Sequence, residues 1–354
     1  MPTPATRPTC WPNALSDSGG RLLLLCAALA GERPADDDWP ALLPLANRLL
    51  VTPALAALFD GDSRIPRDVR QFLGVIGSRT LARNTMMRAQ LEEAVAALHA
   101  RGIVPLLFKG AAGLAEAAQP VAGRLFCDLD LLIADNAGDD ARGALQDLGY
   151  CVLNSAGGEA TFYRERDAGG IDLHCRVRSL GGRQRYADFE TLSTERQLGA
   201  GVVRLPLPLL QAALVIGHDQ IQERDYWRGL VDLRHLLDLR TVVTETGALD
   251  YAALARLFPG TTARRALDCQ LLTLRDLFGV PLPAGCAPGP VARLQSRRRL
   301  WQMERPLSRV PLTAISLLVD PPVGAVARAQ RGLPPRKRAQ YVRRMFAAQK
   351  PNKA

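Results

Sequence analysis

Apolar residues recur at helical spacing through residues 66–100, and within a few residues the pattern switches to short apolar runs with strict alternation. Val69, Phe72, Leu73, Ile76, Leu81, Met86, Leu91, Val95 and Leu98 predict one long helix. Segments 103–108, 129–134, 150–154, 161–166 and 171–177 predict strands, with helices over 111–118 and 139–148 between them. A long helix feeding strands that alternate with short helices restricts the fold to an α+β arrangement around a small mixed sheet.

The run Cys127-Asp128-Leu129-Asp130-Leu131-Leu132-Ile133 lies in the second of those strands. Side chains alternate across a strand, so Asp128 and Asp130 share one face and Leu129, Leu131 and Ile133 the other. Two carboxylates on one face repel unless something neutralises them. A hard divalent cation does so, and Mg²⁺ is commonly held by one or two carboxylates together with substrate phosphates. Strand-edge turn chemistry also accounts for isolated Asp-x-Asp pairs, so the neighbouring segments decide. In Ile171-Asp172-Leu173-His174-Cys175-Arg176-Val177 the polar residues Asp172, His174 and Arg176 fall on one face. Beside the Asp128 strand, Asp172 becomes a third carboxylate in the same space, enough for two metal ions; an ordinary polar outer face is the plain alternative. His174 either orients substrate or a carboxylate, or is a strand histidine with a satisfied hydrogen bond.

Upstream, Leu106-Leu107-Phe108 ends in Lys109-Gly110 ahead of a helix. Glycine lets a backbone approach a phosphate, and a helix start offers unpaired N–H groups. Lys109 adds a positive charge. Arg124, four residues before Asp128, reaches toward a triphosphate or is a solvated loop residue. His218 and Asp232 fall on later helices, where packing or helix pairing is the commoner role.

The order Phe108-Lys109-Gly110, Arg124, Asp128-Leu-Asp130, Leu148-Gly149-Tyr150 and Asp172-Leu-His174 resembles the bacterial nucleotidyltransferases of the DNA polymerase beta-like superfamily. More narrowly, it is similar to their mostly uncharacterised branch, over about residues 100–180 and more loosely over 205–240. The resemblance implies that Asp128, Asp130 and Asp172 hold Mg²⁺ or Mn²⁺. It implies that Lys109, Gly110, Arg124 and His174 serve a nucleoside triphosphate, ATP among them, as co-substrate. One departure is that Ala111 and Ala112 follow Gly110 where the superfamily often has serine or glycine. The acceptor implied is a hydroxyl of a small molecule or protein. The alternatives are a tRNA- or RNA-modifying enzyme, a toxin-like protein-modifying enzyme, and a non-catalytic nucleotide-binding protein.

Organisation follows from these landmarks: a proline-rich, disordered N-terminus (1–20), a helical region (21–102), the catalytic core (103–205), a C-terminal helical domain (206–320) and a basic tail (321–354). Gly181-Gly182-Arg183 opens a loop flanking the cleft. The leucine-rich run 21–30 reads as a buried helix, and no apolar run is long enough to span a bilayer, so stable membrane insertion is not expected. Seven scattered cysteines without a Cys-x-x-Cys fit reduced thiols in a cytoplasm. The net charge of +10 is concentrated at one end: from Arg293 on there are 15 basic and two acidic residues, which leaves residues 1–292 near −3. Arg297-Arg298-Arg299, Arg336-Lys337-Arg338 and Arg343-Arg344 either contact RNA, anionic lipid or an acidic partner, or form a solvated helix face and tail. The near-neutral body favours a small molecule or protein acceptor over a long nucleic acid.

Overall fold

The structure, a computed structural model, describes residues 17–321 apart from 120, 157–158 and 181–183. Three helices open the described residues: α1 (Asp17–Leu29), α2 (Trp39–Arg48) and α3 (Thr52–Leu58). The leucine-rich run lies in α1 and buries Leu22, Leu25, Cys26 and Leu29. Proline in the first turn of α2 and of α3 sets φ where no intrahelical N–H is needed.

The periodicity over 66–100 folds as α4 (Arg67–His99), a single helix of 33 residues. Its middle departs from the sequence expectation. Leu81 and Met86 are 42% and 51% exposed, whereas Asn84 is fully buried and Met87 is the methionine in the core. Asn84 Nδ2 donates to the carbonyls of Val121 (2.5 Å) and Arg124 (2.7 Å), and Arg83 Nε donates to Phe126 O (3.1 Å). Polar side chains on this stretch therefore hold the loop that leads to Asp128. Its buried face is mainly apolar toward the two ends and carries Thr80, Asn84 and Gln90 between them.

The sheet is built from β1 (Leu106–Phe108), β2 (Asp128–Leu132), β3 (Cys151–Ala156), β4 (Glu159–Tyr163) and β5 (Gly170–His174), with α5 (Gly110–Glu116) and α6 (Gly138–Asp147) in the connections. The strand expected over 171–177 breaks at Cys175. Its end, β6 (Arg176–Val177), leaves the sheet to pair with β7 (Gln184–Arg185). A hairpin that the sequence did not flag, β8 (Ser193–Leu198) and β9 (Gly201–Pro206), completes the sheet. The order is β3-β4-β5-β2-β1-β9-β8; β2–β5 and β1–β9 pair parallel and the remaining neighbours antiparallel. The fold is α+β, a mixed sheet flanked by helices.

After the sheet come α7 (Pro208–Gly217), a π-helical turn (His218–Gln222), α8 (Asp225–Arg228), α9 (Leu233–Thr246), α10 (Tyr251–Arg256), α11 (Thr261–Phe278), α12 (Pro290–Glu304) and α13 (Arg309–Val319). Two apolar cores sandwich the sheet. One combines α4's C-terminal half with α5, α6 and the Leu107, Leu129 and Leu131 face. The other joins α1–α3 to α7, α9 and α11 beneath Leu106, Phe108 and Leu132. The N-terminal helices thus share a core with the C-terminal ones, and α4 enters both through Val69 and Leu73 at one end and Leu91 and Val95 at the other.

The arginine triplet on α12 corrects the expectation of a solvated or nucleic-acid-contacting face. Arg297 is exposed, but Arg298 and Arg299 are 8% and 0% exposed. Arg299 donates to Leu230 O (2.6 and 3.1 Å), Gln270 Oε1 (2.9 Å) and Thr273 Oγ1 (3.0 Å); Arg298 donates to the carbonyls of Tyr226 (2.6 Å) and Trp227 (3.0 Å). They cross-link the segment after the π turn to α11 and α12, and are not available to RNA or lipid. The basic clusters at 336–338 and 343–344, the loop at 181–183 and residues 1–16 lie outside the described residues. Among the described residues no helix is long and apolar enough to cross a membrane.

Candidate active site

Parallel pairing of β2 with β5 sets Asp128 against Gly170, Asp130 against Asp172 and Leu132 against His174. Alternation then puts Asp128, Asp130, Asp172 and His174 on one face of two adjacent strands. Glycine permits this close pairing: a Cβ on Gly169 would lie 2.6 Å from Cys127 O and 2.9 Å from Met87 Cε. The face opens into a cleft of about 820 Å³, whose other wall is the π turn, α8 and the start of α9.

Asp130 is almost fully buried, 1% exposed. Its Oδ1 accepts from Lys109 Nζ at 2.8 Å and lies 3.2 Å from His174 Nε2. Burial alone would raise its pKa, but the Lys109 ammonium and the His174 hydrogen bond outweigh that and hold the carboxyl well below the usual range. Burial conversely works against the Lys109 charge, and Asp130, Asp128 and Asp172 together push its pKa up. Lys109 sits at the strand-to-helix turn with φ +52°, a strained conformation for a side-chain-bearing residue. Gly110 follows it, and a Cβ there would press on the Phe126 ring at 3.0 Å.

The ligand atoms of Asp130, Asp172 and His174 lie within 4.8 Å of one another; Asp128, one pleat along on the same face, lines the cleft outside that group. Hard carboxylate oxygens are the donor set that Mg²⁺ or Mn²⁺ takes. Lys109, Gly110, Arg124 and His174 line the same cleft. Arg124, however, is tied to Asp238 on α9 by bonds of 2.9 and 3.0 Å, so it joins the β2 loop to the helical wall.

The helical wall joins His218 and Asp232, for which the sequence favoured packing or helix pairing, to Asp219, Asp225 and His235, which sequence reasoning passed over. His218 and Asp219 start the π turn, and π turns inside helices frequently mark functional positions. Gly217 brings them in: a Cβ there would lie 2.2 Å from Ser179 O. His218 Nδ1 and His235 Nδ1 both point at Asp219 Oδ1, at 3.2 and 2.7 Å. Asp232 caps α9 through the amides of Arg234 and His235, and bonds the Arg234 guanidinium at 2.8 Å. Burial lowers the basicity of His235, but the Asp219 and Asp232 carboxylates overcome it and raise its pKa to about 9. Nearby, burial and the Asp219 charge push Asp225 well above the carboxylate range against the pull of Arg228. The Asp-x-x-His cap at 232–235 was the available signal; nothing in the spacing links His218 to His235, 17 positions apart.

Residues 35–279 match a protein family described as an uncharacterised nucleotidyltransferase. A solution structure of the antibiotic-resistance factor ANT(2'')-Ia is 14% identical over 54% of this chain and 96% of that one, with a TM-score of 0.38. No curated protein matches the chain.

Proposed function

The chain belongs to that nucleotidyltransferase family, and from this premise we propose that it moves a nucleoside monophosphate from a nucleoside triphosphate to a hydroxyl of a small molecule or a protein, with Mg²⁺ or Mn²⁺ held by Asp128, Asp130 and Asp172. The observation that carries the reading is the register that sets Asp130 beside Asp172, with Asp128 on the same face, in one cleft. A bound divalent ion there supplies charge neutralisation to a triphosphate and its departing pyrophosphate.

The chain's own residues do the rest. Lys109 fixes the Asp130 carboxylate through its 2.8 Å bond and puts a cation at the floor of the cleft, facing an anionic substrate. Asp172 takes the proton of the acceptor hydroxyl as its oxygen bonds to the α-phosphorus; the α–β bridging bond breaks and pyrophosphate leaves. His174 steadies the Asp130 carboxylate from β5. Catalysis of this kind is positioning and electrostatic stabilisation, without a covalent enzyme intermediate. Ala111 and Ala112 supply no hydroxyl beside Gly110, so the triphosphate relies on backbone groups and cations.

The acceptor side of the cleft mixes His218, Asp219, Asp232 and His235 with Arg228 and Arg234. That alternation of charge suits a polar acceptor of limited size better than the uniform negative charge of a nucleic acid. Incubation with α-labelled and γ-labelled triphosphates tests the reading: label transferred from the α position only, with pyrophosphate released, supports it. Transfer of the γ label overturns it.

A further inference from the structure

The helical wall of the cleft carries a second cluster of ligating atoms with a chemistry unlike that of the strand carboxylates. The ligand atoms of His218, Asp219 and His235 lie within 4.8 Å of one another, and both imidazoles present Nδ1 to the same carboxylate. Ligands about 2.0–2.1 Å from a tetrahedral ion stand roughly 3.3 Å apart; the His218 Nδ1–Asp219 Oδ1 separation of 3.2 Å matches that spacing, and the His235 Nδ1–Oδ1 contact of 2.7 Å is a hydrogen bond that lengthens when an ion takes the place of its proton. A second observation points the same way. The Asp219 side chain is 3% exposed, and its other oxygen, Oδ2, is buried with no hydrogen-bond partner. A buried carboxylate oxygen without a partner is costly unless something occupies the site.

We propose that His218, Asp219 and His235 form a second metal site, for a borderline divalent transition ion such as Zn²⁺. Two imidazoles and one carboxylate are the donor set of that class, whereas Mg²⁺ prefers oxygen alone. Asp232, 3.9 Å from His235 Nδ1, is committed to the cap of α9 and to Arg234; it supports the site electrostatically and is not a ligand. Three protein ligands leave a position open toward the cleft, where His218 and His235 both stand, so an acceptor hydroxyl or carboxylate can complete the shell. Three elements are fixed relative to one another by it: the π turn, the α9 cap and, through Arg124 and Asp238, the β2 loop. The site stands whether or not the strand carboxylates carry out nucleotidyl transfer.

The test uses the full chain and Co²⁺ as a spectroscopic probe. One equivalent of Co²⁺ is expected to give visible ligand-field bands of low coordination number, displaced by one equivalent of Zn²⁺. His218→Gln and His235→Gln each weaken Zn²⁺ binding by about 100-fold or more, and the double variant Asp130→Asn/Asp172→Asn keeps it. Because the chain has four histidines, imidazole NMR of the wild type gives a reading that needs no folded variant. Two of the four side chains, His218 and His235, shift with one equivalent of Zn²⁺. Absence of binding overturns the proposal. So does a site lost in Asp130→Asn/Asp172→Asn and kept in the histidine variants, or a Zn²⁺ titration that moves His174 alone.

Discussion

Asp130 and Asp172 are direct partners across the parallel pairing of β2 and β5, and the same Asp130 carboxylate is bonded to Lys109 at 2.8 Å. Two acids side by side and one ammonium leave the face net negative. That imbalance is the electrostatic basis for holding a cation there.

Removing the ammonium isolates a buried charge. Lys109→Met is expected to destabilise the fold by about 3–5 kcal/mol, the range for breaking a buried pair by deleting one partner. Lys109→Gly loses the same charge but relieves the φ +52° strain, so it should be less damaging by about 1 kcal/mol. Urea unfolding of the two variants checks the order; equal losses would mean that the turn is not strained.

The pairing of β5 against β2 depends on a missing side chain. With a Cβ on Gly169 only 2.6 Å from Cys127 O, Gly169→Ala forces backbone apart at a cost of about 1–3 kcal/mol. Triphosphate affinity should fall more than stability does, since Asp172 moves away from Asp130. Calorimetry and thermal unfolding of the same variant separate the two effects.

Arg299 and Arg297 sit two positions apart and should behave oppositely. Arg299→Ala leaves Leu230 O and Thr273 Oγ1 without their Arg299 donor, while Gln270 Oε1 keeps only Gln220 Nε2, and is expected to cost about 3 kcal/mol or more. Arg297→Ala, on the exposed side, should stay within about 0.5 kcal/mol. A large loss at Arg297 with none at Arg299 would contradict the burial pattern.

Asp225 supplies a pH signature. Its folded pKa lies above that of the unfolded chain, so the folded state holds the proton more tightly. The stability this contributes is complete below the unfolded value of about 3.9 and is lost as pH rises toward the folded value. Asp225→Asn removes this slope, so the variant should gain on the wild type with rising pH until the folded pKa is passed. Denaturant titrations at a series of pH values would show parallel curves if Asp225 were ordinarily ionised.

Much of the strand face was readable in advance because alternation is a local property. Asp128 and Asp130, and separately Asp172 and His174, share a face on any strand that contains them. What sequence left open is what depends on tertiary partners. The β8–β9 hairpin has an outer strand, Ser193–Leu198, buried only at its two ends, so it shows no alternation. Asn84 on α4 is buried against a loop forty residues away in the chain, which a helical period centred on Leu81 and Met86 cannot anticipate. Arg298 and Arg299 look solvated because charge usually is; here backbone carbonyls and polar side chains satisfy them in the interior. The meeting of His218 with His235 needs a π turn and a helix cap to coincide; the Asp-x-x-His cap leaves a local spacing, but the π turn that brings His218 to it leaves none.

The most direct test of the account is calorimetric binding of each nucleoside triphosphate, with and without Mg²⁺ or Mn²⁺, to the wild type and to Asp130→Asn/Asp172→Asn. The account predicts that a triphosphate binds only with the divalent ion and that the double variant loses at least about tenfold in affinity while remaining folded. Equal binding without metal, or undiminished binding by the variant, would contradict it.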